Sequence, residues 1–174
     1  MAAVKAEFGR IDILVNSAGV FYPTPVGETL EADYDRMIDV NMKGLFFCVH
    51  EVAPIMIAQG NGCIVNLSSV AGVMALGTYS AYCGAKAGVN FMTRAFAQEL
   101  APKGIRVNAI LPGNTVTPMN EDIRTNPELR PMYDAMAAMT PSGRTYSEAI
   151  DMARAADLLD AVGLADQADK RPHQ

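Results

Sequence analysis

Apolar positions along the chain fall into two alternating kinds of segment. Short runs rich in branched residues, at 11–15, 63–67 and 105–111, have the length and continuity of strands buried on both faces of a parallel sheet. Between them, apolar residues recur at helical spacing. Leu30, Tyr34, Met37, Ile38, Leu45, Val49, Val52 and Met56 mark one long amphipathic helix over about 30–58, and Ser80–Leu100 reads as a second. This alternation of strand and helix predicts an α/β fold in which helices flank a parallel sheet.

The punctuation agrees with that reading. Residues 1–8 read as the tail of a helix stopped at Gly9, and a chain that opens inside a helix tail points to something lost upstream. Thr29, followed by Glu31 and Asp33, has the pattern of an N-cap with acids in the first turn, and Pro54 is expected to kink or fray the long helix. Gly60-Asn61-Gly62 reads as a turn, while Pro102 and Gly104 end the second helix. A late helix is expected through Ile150, Ala153, Ala156 and Leu159. One domain over 1–162 is therefore expected, with 163–174 a polar, disordered tail.

Composition narrows the function classes. With 174 residues, 50% of them hydrophobic and 19% charged, the chain has the material for one globular core. A net charge of -5 argues against nucleic acid or an anionic membrane as partner, because either calls for a basic face. Cys48, Cys63 and Cys83 have neither disulfide-framework nor zinc spacing, so a reducing, cytoplasmic setting and no metal are expected. No apolar run of membrane-spanning length and no apolar signal core is read from the sequence. His50 and His173 have no suitably spaced partner for catalysis.

Within the second helix, Tyr82 and Lys86 stand one turn apart on one face. A phenol titrates near pH ~10, too high for efficient proton exchange at neutral pH. A cation ~5 Å away at an effective dielectric of ~20 favours the phenolate by roughly 3 kcal/mol, which predicts a lowered Tyr82 pKa and a general acid/base. A lone Y-x-x-x-K is weak, because a surface tyrosine near a solvated lysine looks the same.

Other polar residues fall where open α/β sheets bind ligands, at the carboxyl ends of strands. Asn16, Ala18 and Gly19 follow the first run, with small side chains that permit close backbone approach. Ser68-Ser69 follows the second and Pro112-Gly113 the third. Asn41 interrupts the long helix, where an asparagine is ordinarily solvated or locally bonded.

N-S-A-G at 16–19, N-M-K-G at 41–44, I-V-N-L-S-S at 64–69, Y-C-G-A-K at 82–86 and V-N-A-I-L-P-G-N-T-V-T at 107–117 occur in the order of motifs that the short-chain dehydrogenase/reductase family carries, and over about 8–147 the chain resembles that family. The resemblance implies a Rossmann-like three-layer fold, here with about three strands, and NAD(P)-dependent interconversion of an alcohol and a carbonyl. It implies catalytic roles for Asn41, Ser69, Tyr82 and Lys86. Ser69, thirteen positions before Tyr82, is the functional serine, and Ser68 merely begins a loop.

It further implies cofactor contacts from Asn16, Ala18, Gly19, Tyr82, Lys86, Pro112, Gly113, Thr115 and Thr117, with NAD or NADP undecided. A homodimer or homotetramer built on a four-helix contact is expected. Met119, Met132, Met136 and Met139 fall where such proteins carry a substrate lid; lining an apolar substrate and filling an irregular core are the two uses of methionine there. The family's T-G-x-x-x-G-x-G loop and final D-G-G strand do not occur in these residues, so this chain alone is expected to bind the dinucleotide weakly and not to turn over. The alternatives are a non-catalytic relative that serves as an oligomerising or partner-binding module, or a family member using the tyrosine for epimerisation or dehydration.

Overall fold

The structure, a computed structural model, describes residues 1–138 and 145–161, with side chains of the last helix described to 155. Three parallel strands, β1 (Ile13–Asn16), β2 (Gly62–Leu67) and β3 (Ile105–Ile110), lie side by side in sequence order. The register sets Asn16 opposite Asn66, and Leu67 opposite Ile110, so the strands end along one common edge.

The chain enters through α1 (Ala2–Phe8), which stops at Gly9 in the left-handed conformation, as its sequence predicts. β1 and β2 are joined by α2 (Glu31–Ile38), a π-helical turn (Asp39–Lys43) and α3 (Gly44–Gln59), which follow one another without a break. β2 and β3 are joined by α4 (Ser80–Leu100). Beyond β3 come α5 (Glu121–Thr125), α6 (Arg130–Ala138) and α7 (Ala149–Ala161), the last in contact with β3.

The core forms where α3 and α4 lie on one sheet face. Leu45, Val49, Val52 and Met56 of α3 meet Val89 and Leu100 of α4 over Ile64, Ile105 and Val107. Each such side chain contributes about 1.5–3 kcal/mol on burial. Small residues set the spacing: a Cβ on Gly88 would stand 2.6 Å from the Met42 sulfur, so glycine there lets α4 approach the π turn.

Several expectations are corrected. The first strand is not buried on both faces, since Ile13 is 65% and Val15 56% exposed. β1 is a sheet edge, and the core helices cover only the face that carries Leu14, Ile64, Ile105 and Val107. Thr29 does not cap α2; its hydroxyl donates to the Pro25 carbonyl at 2.7 Å, and Leu30 takes the cap position. Pro54 lies inside α3, which runs on to Gln59 and ends at a left-handed Gly60. The continuous helix Glu31–Gln59 is also long and apolar enough to cross a membrane by length and composition, contrary to the sequence reading. In this structure it supplies Leu45, Val49, Val52 and Met56 to the core.

Met119 and Met132 are exposed rather than core-filling. Met139, the P-S-G-R segment at 141–144 and the tail at 163–174 lie outside the described residues.

The turn before β3 carries a strict steric demand. Gly104 has φ +80°, and a Cβ there would collide with the Gly60 carbonyl oxygen. Gly104→Ala is expected to destabilise the fold by about 2–3 kcal/mol. The measurement is urea denaturation, where the midpoint should fall at unchanged slope. A midpoint equal to the parent's would show that the 60–62 turn yields at no cost.

Candidate active site

The site is built where α4 crosses the carboxyl end of β2. Lys86 is only 5% exposed, and its ammonium donates to the Leu67 carbonyl at 2.9 Å. The buried Ser68 hydroxyl donates to the Lys86 carbonyl at 3.1 Å, a second tie between strand and helix. Gly72 makes the crossing possible, because a Cβ there would stand 2.9 Å from the Lys86 backbone and 2.6 Å from the Asn90 amide. Among the described residues no carboxylate lies within ion-pair distance of Lys86. Burial therefore acts unopposed and brings the ammonium pKa down from 10.5 to about 8.

Asn41 reaches the same place from the π turn. It is 1% exposed, and its amide nitrogen donates to the carbonyls of Val20 and Met37, each at 3.0 Å. Its oxygen accepts from the Val20 amide at 3.3 Å. The asparagine is thus neither solvated nor bonded only within its helix; it pins the loop after β1. A single π turn inside an α-helix is a frequent mark of functional sites. Gly19 lies between the parts, since a Cβ there would stand 3.0 Å from the Asn41 oxygen and 3.9 Å from the Lys86 ammonium.

The Ser69 hydroxyl oxygen accepts from the Ala71 amide at 3.1 Å and so caps a short 3-10 turn, Val70–Gly72. Its own proton is left for another acceptor. The Lys86 nitrogen lies 5.7 Å from the centroid of the Tyr82 ring. The expected lowering of the Tyr82 pKa is corrected: burial raises it, a hydrogen bond with Ser69 opposes that, and Cys83 adds to the rise. Leu67 holds the cation beside the ring, and desolvation penalises the charged forms of both groups.

The remaining sequence candidates divide. Asn16 donates its side-chain amide to the Asn66 side chain at 2.9 Å, a bond that joins β1 to β2. Ala18 is exposed beside Gly19. The Pro112 carbonyl accepts from the Val70 amide at 3.0 Å, which brings the turn after β3 next to Ser69, and Gly113 faces open space. Thr115 and Thr117 belong to a polar loop beyond it: the Thr115 hydroxyl lies 3.0 Å from that of Ser147, and Arg124 donates to the Thr117 carbonyl at 3.2 Å. Gly19, Asn41, Ser69, Tyr82 and Lys86 come together, whereas the two threonines stand in a separately braced segment. Among the described residues no cluster of three or more His, Cys, Asp or Glu could hold a metal.

The sequence reading missed Ser68, which is buried and bonded rather than a loop opener. It also missed Asn66, fully buried, whose amide donates to Thr93, which in turn donates to the Val89 carbonyl. One signal for Asn66 was present: an asparagine within an otherwise apolar strand demands a buried partner.

The family model described as short chain dehydrogenase matches residues 1–128. The 3-oxoacyl-(acyl-carrier-protein) reductase FabG of Thermotoga maritima is 46% identical over 120 residues, 69% of this chain and 49% of the relative. The D-threitol dehydrogenase of Mycolicibacterium smegmatis is 38% identical over 168 residues, 96% of this chain and 63% of the relative. A gluconate 5-dehydrogenase from Burkholderia cenocepacia J2315, solved in complex with NADP and tartrate, superposes with a TM-score of 0.79 at 31% identity, over 84% of this chain and 56% of that one. The chain therefore spans about half to under two thirds of the length of the relatives it matches.

The buried Lys86 makes stability depend on pH. Between pH 8 and 10.5 the unfolded chain binds more of this proton than the folded one, so its penalty is full below pH 8 and is relieved as pH rises. The stability of the parent minus that of Lys86→Met is expected to rise by about 1–2 kcal/mol from pH 7.5 to 9.5. Urea denaturation of both proteins across that range measures it. A constant difference would show that the folded ammonium titrates as if solvated.

Proposed function

Because this chain belongs to the short-chain dehydrogenase family, we propose that it carries the catalytic residues of an NAD(P)-dependent oxidoreductase that interconverts a small-molecule alcohol and carbonyl. The observation that carries the reading is the buried Lys86 ammonium, which has the Tyr82 ring and Gly19 as neighbours and no carboxylate within ion-pair distance among the described residues. A buried cation with donors left after its bond to Leu67 suits ribose hydroxyls, and the bare Gly19 backbone suits close approach of a planar ring. Lys86, Gly19, Asn16, Ala18, Pro112, Gly113, Thr115 and Thr117 would hold the nicotinamide half. The dinucleotide supplies the hydride when bound, and no preference between NAD and NADP is assigned.

In the reducing direction, the Ser69 hydroxyl donates to the substrate carbonyl oxygen and polarises it, using the proton that its bond from Ala71 leaves free. As the new C–H bond forms at the carbonyl carbon, the C=O π pair moves to oxygen and takes the Tyr82 proton. Alcohol and phenolate result. Lys86, with a pKa of about 8, then returns a proton to the phenolate. Burial raises the tyrosine and lowers the lysine, which moves their proton affinities apart and makes the transfer from the Lys86 ammonium to the phenolate downhill. The Asn41 oxygen retains a lone pair for a water that links Lys86 to solvent.

The relatives act on different substrate classes by name, so none is transferred to this chain. Residues 1–162 are proposed as one partial dinucleotide-binding unit. A cytoplasmic setting is proposed from the three free cysteines and the net charge of -5. The proposed partner is a second copy of the chain. Phe46, Phe47, Ile57 and Phe91 stand exposed on α3 and α4, and a groove between the helices is lined by Phe46, Val49, Ala53, Ile57 and Phe96.

In a fusion that joins this chain to a glycine-rich, pyrophosphate-binding N-terminal segment, Tyr82→Phe is expected to lower turnover by at least ~10²-fold, the usual effect of losing a positioned acid/base group. Steady-state kinetics check this, and turnover within twofold of the parent would remove Tyr82 from the mechanism. On the assembly, light scattering at micromolar concentration should give a mass at least twice the 18.6 kDa of one chain. Phe91→Glu should return it to monomer. A monomeric parent would overturn the helix-mediated contact.

A further inference from the structure

Tyr82 lies in the first turn of α4, the part of a helix with the fewest internal hydrogen bonds. The cap residue, Tyr79, provides no side-chain bond to that turn. The restraint comes instead from the loop after β1. The Thr24 hydroxyl accepts from the Ala81 amide at 3.3 Å, and the Thr24 amide donates to the Thr78 carbonyl at 2.6 Å. Thr78 is the one described residue other than glycine at positive φ, +65°, a conformation a β-branched residue adopts only under constraint.

Phe21 fills the space between these ties. Its ring stacks on Tyr79 with centroids 4.5 Å apart and planes 5° apart. The same ring meets Tyr82 in a T-shaped contact at 4.9 Å and 74°. The Tyr82 ring is thus held by Phe21 and by the Lys86 cation, and neither contact uses the hydroxyl that reacts.

We propose that Phe21 is a positioning residue for Tyr82, an aromatic brace that fixes the phenol in the direction of Ser69 and keeps water from its ring. This rests on the reading of Tyr82 as the proton donor. Edge-to-face geometry prefers one ring orientation, and an aliphatic side chain of similar size fills volume without imposing that preference. A displacement of about 1 Å at a reacting group can cost up to ~10²-fold in rate. Phe21 itself carries no proton; the titratable groups beside Tyr82 are Lys86 and Cys83 of α4, with Tyr79 at the cap and the Ser69 hydroxyl opposite. Excluding water there is consistent with the raised Tyr82 pKa.

The test compares Phe21→Leu with Phe21→Tyr, which keeps the ring. Carbon-13 NMR of tyrosine-labelled protein, with the Tyr82 signal assigned by its loss in Tyr82→Phe, follows the phenol without requiring turnover. Phe21→Leu is expected to lower the Tyr82 titration midpoint by at least about 0.5 pH unit towards the ordinary ~10. In the fusion that carries the glycine-rich segment it should also lower kcat about tenfold at an unchanged KM for the dinucleotide. Phe21→Tyr should keep both within twofold or 0.2 unit of the parent. If Phe21→Leu leaves midpoint and kcat as in the parent while Tyr82→Phe is inactive, the brace is overturned and Tyr82 stands. If both Phe21 variants lose activity only in proportion to folded protein, with the midpoint unmoved, Phe21 is structural and the proposal fails. If Tyr82→Phe keeps turnover, the acid/base reading falls and takes the proposal with it.

Discussion

The close crossing of α4 over the carboxyl end of β2 is the contact on which the site depends. Three features enforce it: the Lys86 ammonium on the Leu67 carbonyl, the Ser68 hydroxyl on the Lys86 carbonyl, and Gly72, where any side chain would meet the Lys86 backbone. Because the crossing point is Lys86 itself, the strand end fixes where its ammonium stands. Tyr82, one helical turn earlier, and Ser69, two residues beyond Leu67, are placed by the same contact. Gly19 and Asn41 then close in from β1 and the π turn.

A buried polar chain supports this arrangement from below. Asn16 bonds to Asn66, Asn66 to Thr93, and Thr93 to the Val89 carbonyl, so β1, β2 and α4 share one hydrogen-bonded line beneath the site. Such groups cost free energy to bury unless every partner is met, and a fully met chain fixes register in return. A one-residue slip of β1 against β2 would separate Asn16 from Asn66 and turn Leu14 away from the core face.

Electrostatics in the site are governed by burial more than by charge pairing. The simple expectation set a cation beside a phenol and lowered the phenol's pKa. In the fold both groups lose solvent, the cation is tied to a carbonyl, and the phenol is raised while the ammonium falls to about 8. The two values move apart because burial favours the neutral form of each group.

The sequence by itself determined the strand and helix alternation, the limits of α4, the left-handed stop at Gly9, and the pairing of Tyr82 with Lys86. Each follows from local rules, since periodicity, glycine conformations and i,i+4 spacing involve residues close in the chain. The five ordered motifs also pointed to Asn41 and Ser69, which the fold brings beside that pair. What only the tertiary structure decided depends on residues far apart in sequence. The exposure of Ile13 and Val15 follows from which sheet face the helices cover, and the role of Ser68 from a helix carbonyl eighteen residues away. Whether Lys86 lowers Tyr82 depended on where Leu67 holds the ammonium, and Phe21 joined the site only when the loop after β1 folded back on α4. Solvent exclusion and contact between distant segments come from the packed chain as a whole, so no local pattern encodes them.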